Sequence, residues 1–343
     1  MRPSSNLVGR CTTWLRAEPN VLREARKTLS SNISSPLISI VTPTHNRRGP
    51  LLRAIQSVLS QTTTDFEYLI VDDASSDGTA DAIRSLGDPR VKYLRLPDRL
   101  GANAARNAGI ELSRSPIVTF LDSDDEFLPD RLANALSRFA SEHGLSLMIS
   151  SFLREKSKQS LLSVIGNRFL SASALERALI TEAIAIGGSA ITVRRDALLV
   201  AGSFNPEIRR FQDRDLLLRI SRREGAYLSA KVDWIKHASH DSISRQRFGF
   251  VQSYGEFASA HRQVMQRHPE VAPYMVARRL LTNALRGRVL QALRDFGENR
   301  DHPALGYSAT ALVRGYVDGK KLRSKIRNEL RTRENRSGNT ERA

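Results

Sequence analysis

The sequence has little of what would place a protein outside the cell or inside a membrane. It contains one cysteine, Cys11, so no disulfide can form within the chain, and this fits a reducing compartment. No stretch reaches the about 18 consecutive apolar residues that indicate a transmembrane helix. The N-terminal stretch MRPSSNLVGRCTTWLRAEPN lacks the apolar core of a secretory signal. We therefore expect a cytoplasmic protein, soluble or peripheral at the inner face of the membrane.

Acidic residues are scarce relative to basic ones. The chain has 36 Asp and Glu against 53 Lys and Arg, a formal net charge of +17. This excess suits three kinds of partner, namely nucleic acid, an anionic membrane surface or a phosphorylated substrate. Aromatic residues make up only 6% of the chain and no known nucleic-acid-binding module is recognisable, so we expect no nucleic-acid partner.

Part of the positive charge lies in a basic tail. Residues 319–343, GKKLRSKIRNELRTRENRSGNTERA, hold nine basic and three acidic residues. One interpretation is a solvated helix that frays at its end. The other is electrostatic attachment, through Lys320 to Arg336, to an anionic lipid surface or an anionic acceptor. The sequence leaves both open.

Between residues 37 and 140, apolar runs alternate with amphipathic segments. Continuous apolar runs, typical of strands buried on both faces, occur at 37–42, 66–73, 91–96 and 116–122. Segments with helical spacing follow them at 50–61, 76–87, 101–113 and 129–139. This alternation predicts an α/β fold with a mostly parallel sheet flanked by helices. Ligands of such sheets gather at the carboxyl ends of strands, where this chain carries TPTHNR, VDDASSDGT and LDSDDE.

The second half of the chain is less regular. We predict a strand at 147–152, helices at 171–180 and 213–225, and a strand, a helix and a turn within 187–204. The pattern is mostly helical after residue 249. We expect a polar N-terminal extension (1–35), an α/β domain (36–245, with halves 36–140 and 141–245), a helical C-terminal extension (246–318) and the basic tail (319–343).

Four acids in five positions follow the fourth predicted strand. They are Asp122, Asp124, Asp125 and Glu126, and carboxylates so close repel one another unless something neutralises them. A cation is the simplest answer, because Asp122 and Asp124 lie one residue apart in a turn and oxygen ligands suit Mg²⁺ or Mn²⁺. Such ions keep positions open for water and substrate phosphates. The alternative, capping of the next helix, suits Asp125 or Glu126.

Three other kinds of site fit poorly. A calcium-binding loop that begins at Asp122 would need Gly and Glu where this chain has Phe127 and Ala133. A dinucleotide-binding fold would show a glycine-rich turn after its first strand, and a P-loop is absent. An aspartate-based phosphatase carries its D-x-D motif after the first strand, whereas here the motif follows the fourth.

Several motifs occur in the order typical of one family. The chain resembles the nucleotide-sugar domain of family 2 glycosyltransferases, which have the GT-A fold, in ISIVTPTHNRRGPLLRAIQSVLSQTTTDFEYLIVDDASSDGTADAI, GANAARNAGI and FLDSDDEFLPDRL. The resemblance spans about residues 37–140 and continues more loosely over 190–220, which is similar to the family's acceptor-side region. It implies that 36–140 is the nucleotide-sugar half of the domain and 141–245 the acceptor half.

The resemblance also implies an activity. It indicates metal-dependent, inverting transfer of a sugar, hexosyltransferase-like, from a nucleotide-diphosphate sugar to an acceptor hydroxyl. A UDP-sugar is the expected donor, and a saccharide or lipid-linked acceptor in surface-polysaccharide or glycolipid assembly is the expected partner. The alternatives are nucleotidyl or sugar-phosphate transfer on the same fold and, as a non-enzyme, a basic nucleic-acid-binding protein.

Residue roles on the donor side follow from the resemblance. Asp73 would accept a hydrogen bond from a uracil-like base, with Asp72 as the second choice, and Arg106 would contact the base or the diphosphate. The residues implied to bind the nucleotide sugar are Pro43, Thr44, Asn46, Asp73, Arg106 and Asp122. Each has a plainer alternative, because acids after a strand often cap the next helix and an arginine on a helix is often solvated.

The remaining roles concern the metal and the acceptor. The resemblance makes Asp124 and Asp122 metal ligands, His240 a further ligand of the metal or diphosphate, and Asp213 the catalytic base. Helix capping is the structural alternative for Asp213. The family often has Glu before this Asp, where the chain has Gln212. That departure removes an acid and keeps the expected base.

Overall fold

The computed structural model describes residues 35–156, 159–163, 165–208, 210–238 and 249–332. The chain forms two compact units. Unit 1 comprises the described parts of Met1–Ala172, Ile186–Pro206 and Arg219–Ser239, and unit 2 those of Ser173–Ala185, Glu207–Leu218 and His240–Ala343. Both units are therefore built from segments that are separate in sequence.

Unit 1 contains a ten-stranded mixed sheet. Its strands are β1 (Ile38–Thr44), β2 (Phe66–Asp72), β3 (Val91–Arg95), β4 (Ile117–Phe120), β5 (Asp125–Phe127), β6 (Leu147–Lys156), β7 (Gln159–Ser163), β8 (Arg168–Leu170), β9 (Ile191–Arg194) and β10 (Ala226–Lys236). The main path runs β3-β2-β1-β4-β9-β6-β10-β5, with β7 beside β6 and β8 beside β10. The four strands β3, β2, β1 and β4 are mutually parallel, so their carboxyl ends lie along one edge.

Twelve helices are described. They are α1 (Arg48–Leu59), α2 (Thr79–Arg84), α3 (Ala102–Leu112), α4 (Arg131–Ser141), α5 (Ala172–Ile180), α6 (Arg195–Val200), α7 (Gln212–Ile220), α8 (Phe250–Ala260), α9 (Arg262–Arg267), α10 (Val271–Leu285), α11 (Val289–Asp301) and α12 (Ala309–Thr332). No helix in the described part of the chain is both long enough and apolar enough to cross a membrane.

Helix α3 packs directly against the sheet through small residues. A Cβ at Gly109 would collide with the side chain of Val41 in β1, so only glycine permits this approach. Ala105 and Ala108 join Val71 and Leu96 in one buried apolar cluster. Because helix and sheet lie so close, the N-terminal half of α3, including Arg106, is held at the carboxyl ends of the parallel strands.

Unit 2 is held together by a close helix pair and a group of arginines. In α12, a Cβ at Gly315 or Gly319 would collide with Pro273 or Tyr274 of α10, so the two helices touch at backbone distance. Arg323, also in α12, donates to the carbonyl of Glu182 at 3.0 and 3.2 Å. Residues 319–332 of the basic tail are therefore part of a packed helix, whereas 333–343 lie outside the described residues.

The predicted element order of residues 37–140 is confirmed. The predicted strand at 147–152 is also present and extends to Lys156, and the strand, helix and turn predicted within 187–204 are β9, α6 and a turn at Gly202 with φ +82°. One interpretation is wrong. Asp125 and Glu126 do not cap a helix, because they lie in β5 and pair with Lys236 and Ile235 of β10.

Candidate active site

The loops that follow β1 and β2 are bound to each other at the strand ends. The backbone N–H of Asn46 donates to Ser75 Oγ at 2.9 Å, and the Asn46 side-chain oxygen accepts from the Ser76 N–H at 2.8 Å. Asn46 adopts a left-handed conformation with φ +49°, which asparagine tolerates better than most residues. His45 Nδ1 lies 2.6 Å from the carbonyl of Asp73. The predicted residues Pro43, Thr44 and Asn46 thus lie beside the predicted Asp73.

The two acids after β2 hold the neighbouring backbone in place. The Asp73 carboxylate accepts from the N–H groups of Leu100 at 2.6 Å and Gly101 at 2.8 Å, which are the residues that lead into α3. The Asp72 carboxylate accepts from Ser75 N–H at 2.8 Å and from the Tyr93 hydroxyl at 2.6 Å. Both acids are buried. Each carboxylate therefore has a structural role. Each oxygen of Asp73 already accepts one hydrogen bond, so it would accept a second one if it also bound a nucleotide base.

Arg106 connects α3 to the acid that follows β4. Its Nη2 lies 2.6 Å from Asp122 Oδ1, its Nη1 donates to Asn103 Oδ1 at 3.2 Å, and its guanidinium lies 5.2 Å from the centre of the Phe204 ring. The side chain is 4% exposed, so Arg106 is not a solvated helix residue. It forms an ion pair with Asp122, whose own side chain is 22% exposed.

The other acids of the cluster also have basic side chains as neighbours. Arg47 lies 3.0 Å from Asp124, and Arg53 lies 2.5 Å from Glu126. Lys236 Nζ is 3.9 Å from Asp125, and His237 Nε2 is 2.7 Å from Glu126. The charges of the cluster are thus opposed by side chains from the β1 loop, α1, α3 and β10. In three of these pairs, Arg47–Asp124, Arg53–Glu126 and His237–Glu126, both side chains remain partly open to solvent.

Ser189 and Gly188 enclose Asp122 and Asp125 from the other side. Ser189 Oγ donates to Asp125 Oδ2 at 2.7 Å and accepts from the Asp122 N–H at 3.1 Å. A Cβ at Gly188 would lie 3.0 Å from Asp122 Oδ1, so glycine leaves a small space open beside that carboxylate. Any side chain at position 188 would fill this space.

Burial and neighbouring charges shift the pKa values of Asp122 and Asp125 in opposite directions. Burial alone would raise the pKa of Asp122, but Arg106 and Lys236 together hold it below its ordinary value. Burial raises the pKa of Asp125 to about 7, with Lys236 opposing and the Asp122 carboxylate adding to the rise. Asp122 is therefore the more acidic of the two.

The donor set suits a divalent cation only in part. Asp122 and Asp124 could supply oxygen ligands, and the buried Asp125 Oδ1 accepts no hydrogen bond from a described residue. No group of three or more His, Cys, Asp or Glu positioned to hold a metal occurs among the described residues. An ion here would therefore depend on oxygens from a substrate phosphate, as Mg²⁺ and Mn²⁺ commonly do. The predicted ligand His240 lies outside the described residues.

Asp213, the predicted base, belongs to unit 2 and lies in the first turn of α7. The next residue, Arg214, is buried and donates to the carbonyls of Leu179 at 2.5 Å and Ile184 at 3.1 Å. Burial lowers the pKa of Arg214, and the carboxylates of Glu182 and Asp213 oppose that effect. Asp215 has a different environment, because it is buried and lies 2.9 Å from His261 Nε2. The two acids of this turn are therefore not equivalent.

Sequence reasoning missed several residues of this site. Arg47 could have been predicted, because it directly follows Asn46, a predicted pocket residue. Gly188 could also have been predicted, since it belongs to a Gly-Gly pair just before a predicted strand. No sequence feature indicated Lys236, because β10 lies about a hundred residues further along the chain than the acids it faces.

Comparison with known proteins shows a family match over part of the chain. Residues 39–198, just under half of the chain, match the model described as glycosyl transferase family 2. The chain is also 35% identical, over 124 residues, to the GalNAc(5)-diNAcBac-PP-undecaprenol beta-1,3-glucosyltransferase of Campylobacter jejuni, and the match covers 35% of this chain and 40% of that protein. The chain spans less than half the length of the curated relatives that it matches.

Solved structures confirm the GT-A fold expected from the resemblance. S. aureus TarS 1–349 in complex with UDP-GlcNAc has a TM-score of 0.63 at 16% identity, covering 86% of this chain and 91% of that one. The mannosyltransferase PcManGT of Pyrobaculum calidifontis, solved with GDP-Man and Mn²⁺, has a TM-score of 0.53 at 17% identity, covering 94% and 96%. At these identities the likeness shows the fold alone.

Proposed function

We propose that this protein transfers a sugar from a nucleotide-diphosphate sugar to an acceptor hydroxyl. The proposal depends on the ion pair between Arg106 and Asp122, whose side-chain atoms are 2.6 Å apart. This pair lies at the carboxyl ends of the parallel strands, within the segment that matches family 2. In open α/β sheets this edge is where ligands bind. The UDP-GlcNAc complex of TarS, which shares the fold, supports a UDP-sugar as the donor.

On the donor side, we assign nucleotide-sugar binding to the predicted set. The loops after β1 and β2 would form the wall beside the base, with Asp73 positioning the turn into α3 through its two backbone hydrogen bonds. Arg106 would neutralise Asp122 and supply positive charge near the diphosphate. The residues of this set are Pro43, Thr44, Asn46, Asp73, Arg106 and Asp122.

A divalent cation fits this chemistry. We propose that Asp124, with Asp122, holds Mn²⁺ or Mg²⁺ together with oxygens of the donor diphosphate. When bound, the ion would stabilise negative charge on the leaving diphosphate. Asp124 would exchange its partner Arg47 for the ion, and the 16% exposure of its side chain leaves it accessible. The Mn²⁺ in the PcManGT structure supports this assignment.

On the acceptor side, we propose Asp213 as the base. A sugar hydroxyl is a poor nucleophile at neutral pH, so a carboxylate must take its proton as the hydroxyl attacks the anomeric carbon. Attack opposite the leaving diphosphate inverts that carbon. The helix N-terminus of α7 favours the charged carboxylate that this role requires.

The name of one relative supports a proposal for the acceptor class. The Campylobacter jejuni relative is named for an undecaprenol-linked diphosphate acceptor. We propose a lipid-linked or saccharide acceptor in surface-polysaccharide or glycolipid assembly, with the protein located at the inner face of a membrane.

One experiment separates this function from its rivals. The purified protein is incubated with a panel of nucleotide sugars and Mn²⁺, and the released nucleotide is identified. Release of nucleoside diphosphate supports sugar transfer, whereas release of nucleoside monophosphate with sugar phosphate indicates phosphoryl-transfer chemistry. Absence of any nucleotide release across the panel contradicts both.

The same assay tests the metal. We expect activity to disappear with excess chelator and to return with Mn²⁺ or Mg²⁺. Asp124→Asn should weaken nucleoside-diphosphate binding, measured by calorimetry, at least tenfold in the presence of metal and little in its absence. Glu126→Gln is the matched control, since it changes a neighbouring acid that we do not assign to the metal. Full activity in excess chelator rules out the metal assignment.

A further inference from the structure

The turn between α10 and α11 carries an apolar surface that faces solvent. We define the α10–α11 turn as residues 281–294. Five large apolar side chains in it are exposed, and Leu285 and Leu290 are the most exposed at 78% and 84%. The other three, Leu281, Val289 and Leu293, are at least 41% exposed. Single exposed apolar residues are ordinary, but five within 13 consecutive positions mark an interaction surface.

The backbone of the turn is fixed from within. Gly287 has a φ of +71° and its N–H donates to the carbonyl of Ala284 at 3.0 Å, which ends α10 sharply. The Arg288 N–H donates to the carbonyl of Asn283 at 2.9 Å. The apolar side chains that flank this turn are therefore displayed by a well-defined backbone conformation.

Buried polar groups join the two helices beneath the turn. The side chain of Asn283 donates to Asp295 Oδ2 at 2.8 Å, and Gln291 donates to Asp295 Oδ1 at 2.7 Å. Asn283 and Asp295 are buried. Because the helices are locked by their polar inner faces, the leucines on the outer side cannot rotate inward without breaking these hydrogen bonds.

The charge around the leucines has one sign. Arg286, Arg288 and Arg294 are exposed and lie among the apolar residues, and no Asp or Glu occurs from Val271 to Arg294. Leucines beside arginines, without acids, are typical of helices that lie in the interface of an anionic bilayer. In a two-fold symmetric contact between copies of the chain, this turn would face its own copy, so the arginines of one turn would repel those of the other.

We propose that the α10–α11 turn inserts into the surface of an anionic lipid bilayer. The leucines enter the boundary between headgroups and acyl chains, and the three arginines contact lipid phosphates. The charge complementarity between this acid-free turn and an anionic surface selects the bilayer over a second copy of the chain. The inference is independent of the proposed sugar transfer, because the turn contains none of the residues assigned to it.

Vesicle sedimentation with the full chain tests the proposal. Wild type should sediment with vesicles of phosphatidylcholine and phosphatidylglycerol, and much less with phosphatidylcholine alone. The double variant Leu285→Ser/Leu290→Ser should lower the partition coefficient on the order of tenfold or more, because it removes the two most exposed apolar side chains. Arg286→Gln/Arg288→Gln should lower it roughly fivefold for each charge on anionic vesicles only. Both pairs are exposed, so the variants should fold.

The matched control is Leu162→Ser/Val200→Ser, which changes two exposed apolar residues of unit 1 and should bind as wild type does. The proposal is overturned if wild type binds neither vesicle, or if the Leu285/Leu290 variant binds as wild type does. Light scattering that shows the leucine variant converting a dimer to a monomer, with vesicle binding unchanged, would instead assign the turn to self-association.

Discussion

Asp213 is the residue on which the proposed acceptor chemistry depends most. It occupies the first turn of α7, ahead of a buried arginine that fixes the start of that helix. We predict that Asp213→Asn lowers the turnover number by about 10²–10⁴-fold, the range expected for loss of a general base. Donor binding and thermal stability should stay close to wild type. Calorimetry with nucleoside diphosphate, run beside the turnover assay, separates these effects.

The control for Asp213 must be chosen from the structure. Asp215→Asn is unsuitable, since Asp215 is buried against His261 and its replacement would cost stability. Asp196→Asn is a better match, because Asp196 is an exposed acid in the first turn of α6. A turnover number above about a tenth of wild type in Asp213→Asn would mean that another group takes the proton.

Individual residue positions show where sequence reasoning succeeds and where it stops. The gathering of Asn46, Asp73 and Asp122 was predictable, because parallel strands end at one edge of a sheet. Which basic side chain neutralises which acid was not predictable. Arg106 and Lys236 are 16 residues before and 114 residues after Asp122, and only their packing in three dimensions shows that they meet it.

Among the secondary-structure elements of unit 2, the end of α5 is joined to the later helices through Glu182. Burial alone would raise its pKa, but Arg214, Arg278 and Arg323 together lower it. A carboxylate with a lowered pKa in the folded state stabilises the fold above its ordinary pKa of 4.5, and this contribution is lost as the pH falls through the lowered value. We predict that Glu182→Gln decreases the free energy of unfolding by about 1–3 kcal/mol at neutral pH.

The dependence of the free energy of unfolding on pH in the acid range gives a second test of the role of Glu182. Denaturant unfolding, followed by circular dichroism between neutral pH and pH values below 4.5, should show a flatter decline for Glu182→Gln than for wild type. Asp301→Asn, an exposed change at the end of α11, should follow the wild-type profile. Parallel wild-type and Glu182→Gln profiles would show that this carboxylate does not contribute.

The elements also differ in how much sequence pattern specifies them. The strands β1, β2 and β4 are mostly apolar and all their residues are buried, so the sequence pattern was sufficient to locate them. The strand β5 has three residues, two of them acidic, and forms only because Trp234–Lys236 of β10 lies beside it. Local pattern therefore indicated a helix cap where a distant partner produces a strand.

For the whole molecule, the basic tail has two parts with different roles. Arg323 and Arg327 of α12 donate to the carbonyls of Glu182 and Ala183, and Ile326 between them is buried. We predict that deletion of residues 319–343 lowers the melting temperature or yields insoluble protein, because it removes these contacts from unit 2. Deletion of 333–343 alone should leave the melting temperature and vesicle binding unchanged, since that segment carries three basic and two acidic residues.

Thermal melting and vesicle sedimentation of both truncated chains check this division. If residues 333–343 prove necessary for vesicle binding, the basic tail and not the α10–α11 turn attaches the protein to the membrane, which is one of the two interpretations that the sequence left open. If deletion of 319–343 leaves melting unchanged, the contacts of α12 with residues 182 and 183 contribute nothing to stability.

The contact between Arg323 and Glu182 also limits how early unit 2 can finish folding during synthesis. The two residues are 141 positions apart. A ribosome that adds about 5–20 residues per second needs roughly 7 to 28 s to travel from one to the other. Throughout that interval the newly made segment around α5 lacks Arg323, the last of the three arginines that will surround its carboxylate. Unit 2 can therefore complete its folding only after Arg323 has left the exit tunnel, while the parallel strands β1 to β4 can pair much earlier.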